Sequence, residues 1–193
     1  MIKIVHRINS ISKLRNIPFN CWVEIDIRAN WKDLILNHEP FENWDLLEEY
    51  LREYKHNFII LNIKEAWIEN KVIELVEKYN IKDYFLLDVE FPYIYRSSRD
   101  WNRNIAIRYS EDEVVEQALL YKDKVDYIFI DTNTKLPINQ NFINRTKWFK
   151  SCLVSPDRWW RPEDIIVYKK MMEDLWYTLD YVMVGEQYAN LWD

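Results

Sequence analysis

The sequence predicts an α/β fold, a single small (β/α)8 barrel spanning residues 1–193. Three observations predict it. Short apolar runs recur along the chain, amphipathic stretches with helical spacing separate most of them, and polar residues close one run after another. Alternating strands and helices imply a parallel sheet, and in a barrel the downstream strand ends form the working face.

The strand candidates are residues 2–7, 21–28, 34–38, 58–64, 84–90, 104–109, 127–131, 151–155 and 181–184. Segment 34–38 extends the second strand or hairpins with it, which leaves eight βα units. Helical spacing marks 41–54, where Leu46, Leu47, Tyr50 and Leu51 share a face, and 66–79, with Ile68, Val72, Ile73 and Val76. It also marks 111–121 and 163–175. Ser110 stands as an N-cap before Glu111 and Glu113, and Pro162 stands at a first helical position. A barrel typically takes about 250 residues, so the helices and loops here must be brief. An open doubly wound sheet is the alternative. No repeat, Pro-rich linker or low-complexity stretch marks a second domain.

Composition narrows the function. With 49% hydrophobic and 16% aromatic residues the chain is too apolar to stay disordered. The net charge is −6 and no basic block stands out, so a nucleic-acid footprint is not expected. A local site for an anion remains compatible with an acidic protein. Cys21 and Cys152 sit in apolar runs and read as two reduced core thiols. The N-terminus is too poor in apolar residues for a signal peptide and no run reaches membrane-span length, so the expected location is cytoplasmic. The single glycine, Gly185, excludes every Gly-rich phosphate loop. Richness in Asn, Ile, Lys and Tyr reads as compositional drift in which loop glycines have been replaced. Most of the ten tryptophans are expected to pack.

Chemistry-bearing residues collect at strand ends. Val5 is followed by His6 and Arg7, Val23 by Glu24 and Asp26, Leu36 by His38, and Leu61 by Asn62 and Lys64. Later come Asp88 and Glu90, Arg108, and Asp131. Glu24 and Asp26 are two apart and point to one side of their strand, as do Asn62 and Lys64, and Asp88 and Glu90. Taken singly, each has a plain alternative. A Glu-x-Asp pair is commonly a solvated face, a terminal His is commonly structural, and Lys64 and Glu65 can simply open a helix. Their convergence favours a site. His56 lies in a polar connection and reads as surface. Arg108 either reaches an anion or pairs with Asp131 or Glu90. Residues 154–160 and 185–188 fall in loops seven and eight, where their aromatics stack on a ligand or pack the rim.

In order, His6-Arg7, Glu24-Ile25-Asp26, Leu34-Ile35-Leu36-Asn37-His38-Glu39 and Leu61-Asn62-Ile63-Lys64 resemble the pattern of the glycerophosphodiester phosphodiesterase family. The family belongs to the phosphatidylinositol phospholipase C-like phosphodiesterases, whose fold is a TIM barrel. The motifs cover about the first third of the chain. The resemblance implies that His6 and His38 are the acid–base pair and that Arg7 and Lys64 bind phosphoryl oxygens. It also implies that Glu24, Asp26 and Asn62 hold a divalent cation, Mg²⁺ or Ca²⁺. Arg108 is a further candidate for the phosphate. The chain departs from the pattern at Ile8, where the family has Gly, at Glu39, where it has Asp, and at Asn62, where it has a carboxylate. An amide oxygen still binds hard cations but brings less charge, and Asp88 or Glu90 on the next strand is the candidate to supply it.

The expected activity is metal-assisted cleavage of a glycerophosphodiester-like or other small phosphodiester. The rival expectation, motivated by Asn62, is a non-catalytic barrel that binds a phosphorylated sugar, lipid headgroup or protein partner. A third is another reaction on the same fold, since fold does not fix function.

Overall fold

The structure is a computed structural model that describes residues 1–42 and 44–193. They form two compact units, residues 5–95 and residues 1–4 with 96–193. The strands are β1 (Ile2–Val5), β2 (Trp22–Asn30), β3 (Asp33–Leu36), β4 (Asp45–Leu46), β5 (Phe58–Ile63), β6 (Asp83–Leu87), β7 (Ala106–Tyr109), β8 (Tyr127–Ile130), β9 (Lys150–Val154) and β10 (Tyr181–Val184). The helices are α1 (Ile11–Leu14), α2 (Leu47–Glu53), α3 (Glu69–Lys78), α4 (Phe91–Ser97), α5 (Val115–Leu119), α6 (Gln140–Thr146) and α7 (Asp164–Asp174). Two 3₁₀ segments, Pro156–Trp159 and Glu186–Trp192, follow β9 and β10.

In the unit of residues 5–95 the strand order is β4-β3-β2-β5-β6. β2, β5 and β6 are parallel, with Asp26 opposite Asn62 and Asn62 opposite Leu87. β3 runs antiparallel to β2, closing a hairpin in which Asn30 faces Asp33 and Ile27 faces Leu36. β2 is buried on both sides. Val23, Ile25 and Ile27 are fully buried, and so are Glu24 and Asp26 between them. Period-2 geometry therefore separates an apolar face from a charged one. Each fully buried aliphatic side chain contributes about 1.5–3 kcal/mol. Buried carboxylates cost stability unless something answers them.

In the other unit β10, β9, β8 and β7 pair in parallel, with β1 beside β10. α7 buries Ile165, Tyr168 and Met172, an i, i+3, i+7 stripe. α6 begins at Asn139, whose side chain accepts from the Phe142 N–H at 3.0 Å.

The eight βα strands expected from the sequence are β1, β2 and β5–β10, and segment 34–38 is the hairpin strand β3. Several boundaries differ. The run 84–90 stops at Leu87 because Asp88 takes a left-handed backbone, φ 58°. Helix 41–54 shortens to α2 because Asp45 and Leu46 pair with β3 instead, and Asn43 lies outside the described residues. Ser110 accepts the N–H groups of Asp112 and Glu113 at 3.2 Å each, so it caps a turn, and α5 starts later. His56 is buried rather than at the surface. Its Nδ1 meets the Cys21 carbonyl at 2.9 Å and its ring lies 5.3 Å from Phe19 and 5.5 Å from Tyr54. The expectation that most tryptophans pack also fails, since eight of the ten are exposed. Cys21 and Cys152 are buried, and neither is in a disulfide. Among the described residues no helix is long and apolar enough to cross a membrane.

Candidate active site

Glu24 organises the site in residues 5–95. The segment after β1 turns sharply at Arg7, φ 57°, and this turn aims two groups at one carboxylate. Glu24 Oε2 accepts the Arg7 backbone N–H at 2.7 Å and lies 3.7 Å from His6 Nε2. Glu24 Oε1 accepts from Asn62 Nδ2 at 2.9 Å. The parallel register of β2 and β5 makes that reach possible.

Asp26, one step further along the same face, is held from two sides. Its Oδ2 accepts from Asn9 Nδ2 at 2.7 Å, while its backbone N–H donates to Asn9 Oδ1 at 2.8 Å. Lys64 Nζ stands 3.1 Å from Asp26 Oδ1 and 3.6 Å from Asp88 Oδ2. Arg7 Nε is 3.9 Å from Asp26 Oδ2, at the edge of an ion pair. Asn9 was not anticipated. No motif in the sequence marks it, and only the fold, in which the neighbouring Ile8 N–H bonds to the Glu24 carbonyl at 2.9 Å, shows its partner.

His38 returns toward the same level because β3 is antiparallel to β2 and Asn37 N–H bonds to the Asp26 carbonyl at 3.1 Å. Its ring pairs with Glu39 Oε1 at 2.5 Å, and its carbonyl accepts from Arg28, which also reaches Glu65. The structure thus links His6, Arg7, Glu24, Asp26, Asn62 and Lys64 by direct contacts, and ties His38 to them through the backbone of β2. A cavity of about 120 Å³ opens beside Lys64, lined by Glu65, Glu69, Asp88 and Glu90. Asp88 thus answers Lys64, and Glu90 is exposed.

Arg108 lies in the other unit. Its Nη1 donates to Asp131 Oδ2 at 2.7 Å and its guanidinium covers the Phe129 ring at 5.3 Å. Asp131 also accepts from Trp159 Nε1 at 2.8 Å and from the Thr132 N–H at 2.9 Å. Loop seven therefore packs its first tryptophan against Asp131. Gly185 sits so close to Asp157 that a Cβ there would meet Asp157 Oδ2 at 2.8 Å, and its N–H donates to that oxygen.

Electrostatics show what the cluster lacks. Burial first, and the Asp26 charge second, push the Glu24 carboxyl up to about 8, against the pull of the Arg7 N–H, Asn62 and Lys64. Asn62 Oδ1 is buried with no hydrogen-bond partner. Among the described residues no three His, Cys, Asp or Glu side chains converge on one point, so a third donor here is the Asn62 amide. Two buried carboxyl groups and an orphaned amide oxygen are a donor set that suits a hard divalent cation.

By sequence, no protein-family profile and no curated protein matches the chain. By structure, it is similar to a glycerophosphodiester phosphodiesterase from Agrobacterium tumefaciens str. C58, with TM-score 0.65 and 14% identity over 95% of this chain and 96% of that one. It is also similar to a putative glycerophosphoryl diester phosphodiesterase from the same strain, with TM-score 0.69 and 9% identity over 98% and 96%. Both neighbours are TIM barrels. The α/β fold of this chain is therefore the small TIM-barrel fold that these two neighbours share.

Proposed function

We propose that the chain is a phosphoric diester hydrolase acting on a small, glycerophosphodiester-like phosphodiester. The observation that carries this reading is the contact of Glu24 with both His6 and the Arg7 N–H, beside the Asp26–Lys64 ion pair. One compact site then offers a titratable imidazole, fixed cations and a buried carboxylate pair.

Arg7 and Lys64 bind phosphoryl oxygens, whose charge builds up in the transition state. Glu24 orients the His6 ring, and His6 holds or delivers a proton at Nε2. Glu39 orients the His38 ring through its contact at Nδ1. One imidazole accepts the proton of the attacking hydroxyl or water, and the other protonates the leaving alcohol. Glu24, Asp26 and Asn62 are the residues that would hold Mg²⁺ or Ca²⁺, which when bound supplies Lewis acidity at the phosphoryl group. Arg108 serves the phosphate only if it leaves Asp131, and ranks below Arg7 and Lys64. We place the whole chain, residues 1–193, in one catalytic domain.

The test is phosphorus NMR of glycerophosphocholine and a chromogenic phosphodiester incubated with the protein and Mg²⁺ or Ca²⁺. A phosphomonoester product supports attack by water, and a cyclic phosphate supports attack by a neighbouring substrate hydroxyl. A non-catalytic binding barrel is the second reading, favoured by Asn62 in place of a carboxylate. Binding of glycerol phosphate without turnover of any phosphodiester selects it.

A further inference from the structure

Among the described residues, ten that are not glycine have positive φ. Asn80, Asp88 and Asp123 are of the types that adopt this backbone at modest cost. Five others are tryptophans: Trp31 at 55°, Trp67 at 73°, Trp101 at 65°, Trp160 at 57° and Trp176 at 54°. A bulky residue in the left-handed region is an outlier. It persists where its surroundings fix it, yet these five indoles are 99, 81, 84, 87 and 95% exposed. Hydrophobic burial therefore offsets little of the strain.

The backbone around them asks for glycine. After α7, the Trp176 N–H bonds to the Glu173 carbonyl and the Tyr177 N–H to the Met172 carbonyl, each at 2.9 Å. These are the two bonds of a Schellman cap with Trp176 at the position that glycine usually holds. Trp160 closes Pro156–Trp159 in the same way, through Trp160 N–H to Asp157 and Arg161 N–H to Pro156, each at 3.1 Å. Trp101 precedes Asn102, whose N–H reaches back to the Ser97 carbonyl at 3.1 Å. Asn80 fills the matching position after α3, with bonds of 2.9 and 3.0 Å. Trp31 and Lys32 are the two loop residues of the β2–β3 hairpin. Only Trp31 of the two has positive φ, the pattern of a II′ turn with glycine first.

The remaining contrast lies within the same chain. Trp159 and Trp192 have ordinary backbone, and their indole N–H groups bond to Asp131 Oδ1 at 2.8 Å and Ser155 Oγ at 2.9 Å. The sequence holds ten tryptophans and one glycine, and that glycine has φ −67°.

We infer that Trp31, Trp67, Trp101, Trp160 and Trp176 occupy glycine positions, and that the protein made in its own cell carries glycine there. The cause we assign is a codon, UGA, that one genetic code reads as tryptophan and this cell reads as glycine. The inference is independent of the proposed activity, but two of the positions border that site. Trp31 turns the hairpin that leads to His38, and Trp67 lies in the loop between Lys64 and α3.

Peptide mass spectrometry of the chain isolated from its own cells tests this directly. Glycine is expected at the five positions and tryptophan at 159 and 192, and tryptophan at all seven overturns the inference. Recombinant variants provide a second arm. Each of Trp31→Gly, Trp67→Gly, Trp101→Gly, Trp160→Gly and Trp176→Gly is expected to raise the folded-to-unfolded ratio, by roughly threefold or more. Trp192→Gly, which empties a buried position, lowers it. If the five lower stability as Trp192→Gly does, they are ordinary tryptophans and the inference fails.

Discussion

Asn9 and Asp26 grip each other reciprocally: the Asn9 amide donates to the Asp26 carboxylate at 2.7 Å, and the Asp26 N–H donates to the Asn9 side-chain oxygen at 2.8 Å. This grip holds Oδ2 in place and leaves Oδ1 facing Lys64. Groups that orient a ligating carboxylate typically matter by about 10–100-fold in metal affinity or activity. Asn9→Ala is expected to lose that much Mg²⁺ or Ca²⁺ affinity by calorimetry, with circular dichroism unchanged. Unaltered affinity in a folded variant would reduce Asn9 to a structural tie to β2.

Glu24 gives the metal-free protein an unusual pH dependence. Its folded pKa, about 8, lies above the ordinary 4.5. The folded state therefore binds the extra proton, so this contribution to stability is complete below about 4.5 and is lost as pH rises through about 8. Glu24→Gln keeps the shape without the charge. At pH 8 in chelator it is expected to melt higher than the parent, while divalent-cation binding falls away. A parent and variant that melt alike across pH 5–8 would show that Glu24 is not proton-linked to folding.

His56 acts in the opposite direction. Burial lowers its pKa from 6.5, the Cys21 carbonyl opposing weakly. Its contribution is complete above about 6.5 and is lost as pH falls through the lower folded value. His56→Phe is expected to be less stable at pH 7, because the Cys21 carbonyl loses its partner, but to lose less on going from pH 7 to 5. Thermal melts across that range decide it.

Asn62→Glu adds the charge that the family pattern has at this position. It also sets a third carboxylate beside two buried ones. The metal-free variant is expected to melt below the parent, and Mg²⁺ or Ca²⁺ to raise its midpoint by more than the parent's. An equal response of both proteins would place the cation elsewhere.

The charged face of β2 was legible because period 2 fixes which residues point together. Glu24 with Asp26, and Asn62 with Lys64, needed no tertiary information beyond that. The eight strands were legible for the same reason. His56 was not, because Phe19 and Tyr54, which cover it, are brought there by the fold and not by its own polar neighbours. Helix starts were misplaced where a competing partner intervened, as β3 captured Asp45 and Leu46 before α2. The exposed tryptophans were misread because hydrophobicity argues for burial, while at five of them the backbone, invisible in the sequence, takes φ above zero.

The central claim is that His6 and His38 serve one phosphodiester-cleaving site built on Glu24 and Asp26. Its most direct measurement is steady-state turnover of a phosphodiester by His6→Ala and His38→Ala, with the fold verified by thermal melting. A positioned acid or base contributes about 10²–10⁴-fold, so each variant is expected to lose turnover in that range while remaining folded. Turnover that survives both substitutions would contradict the account.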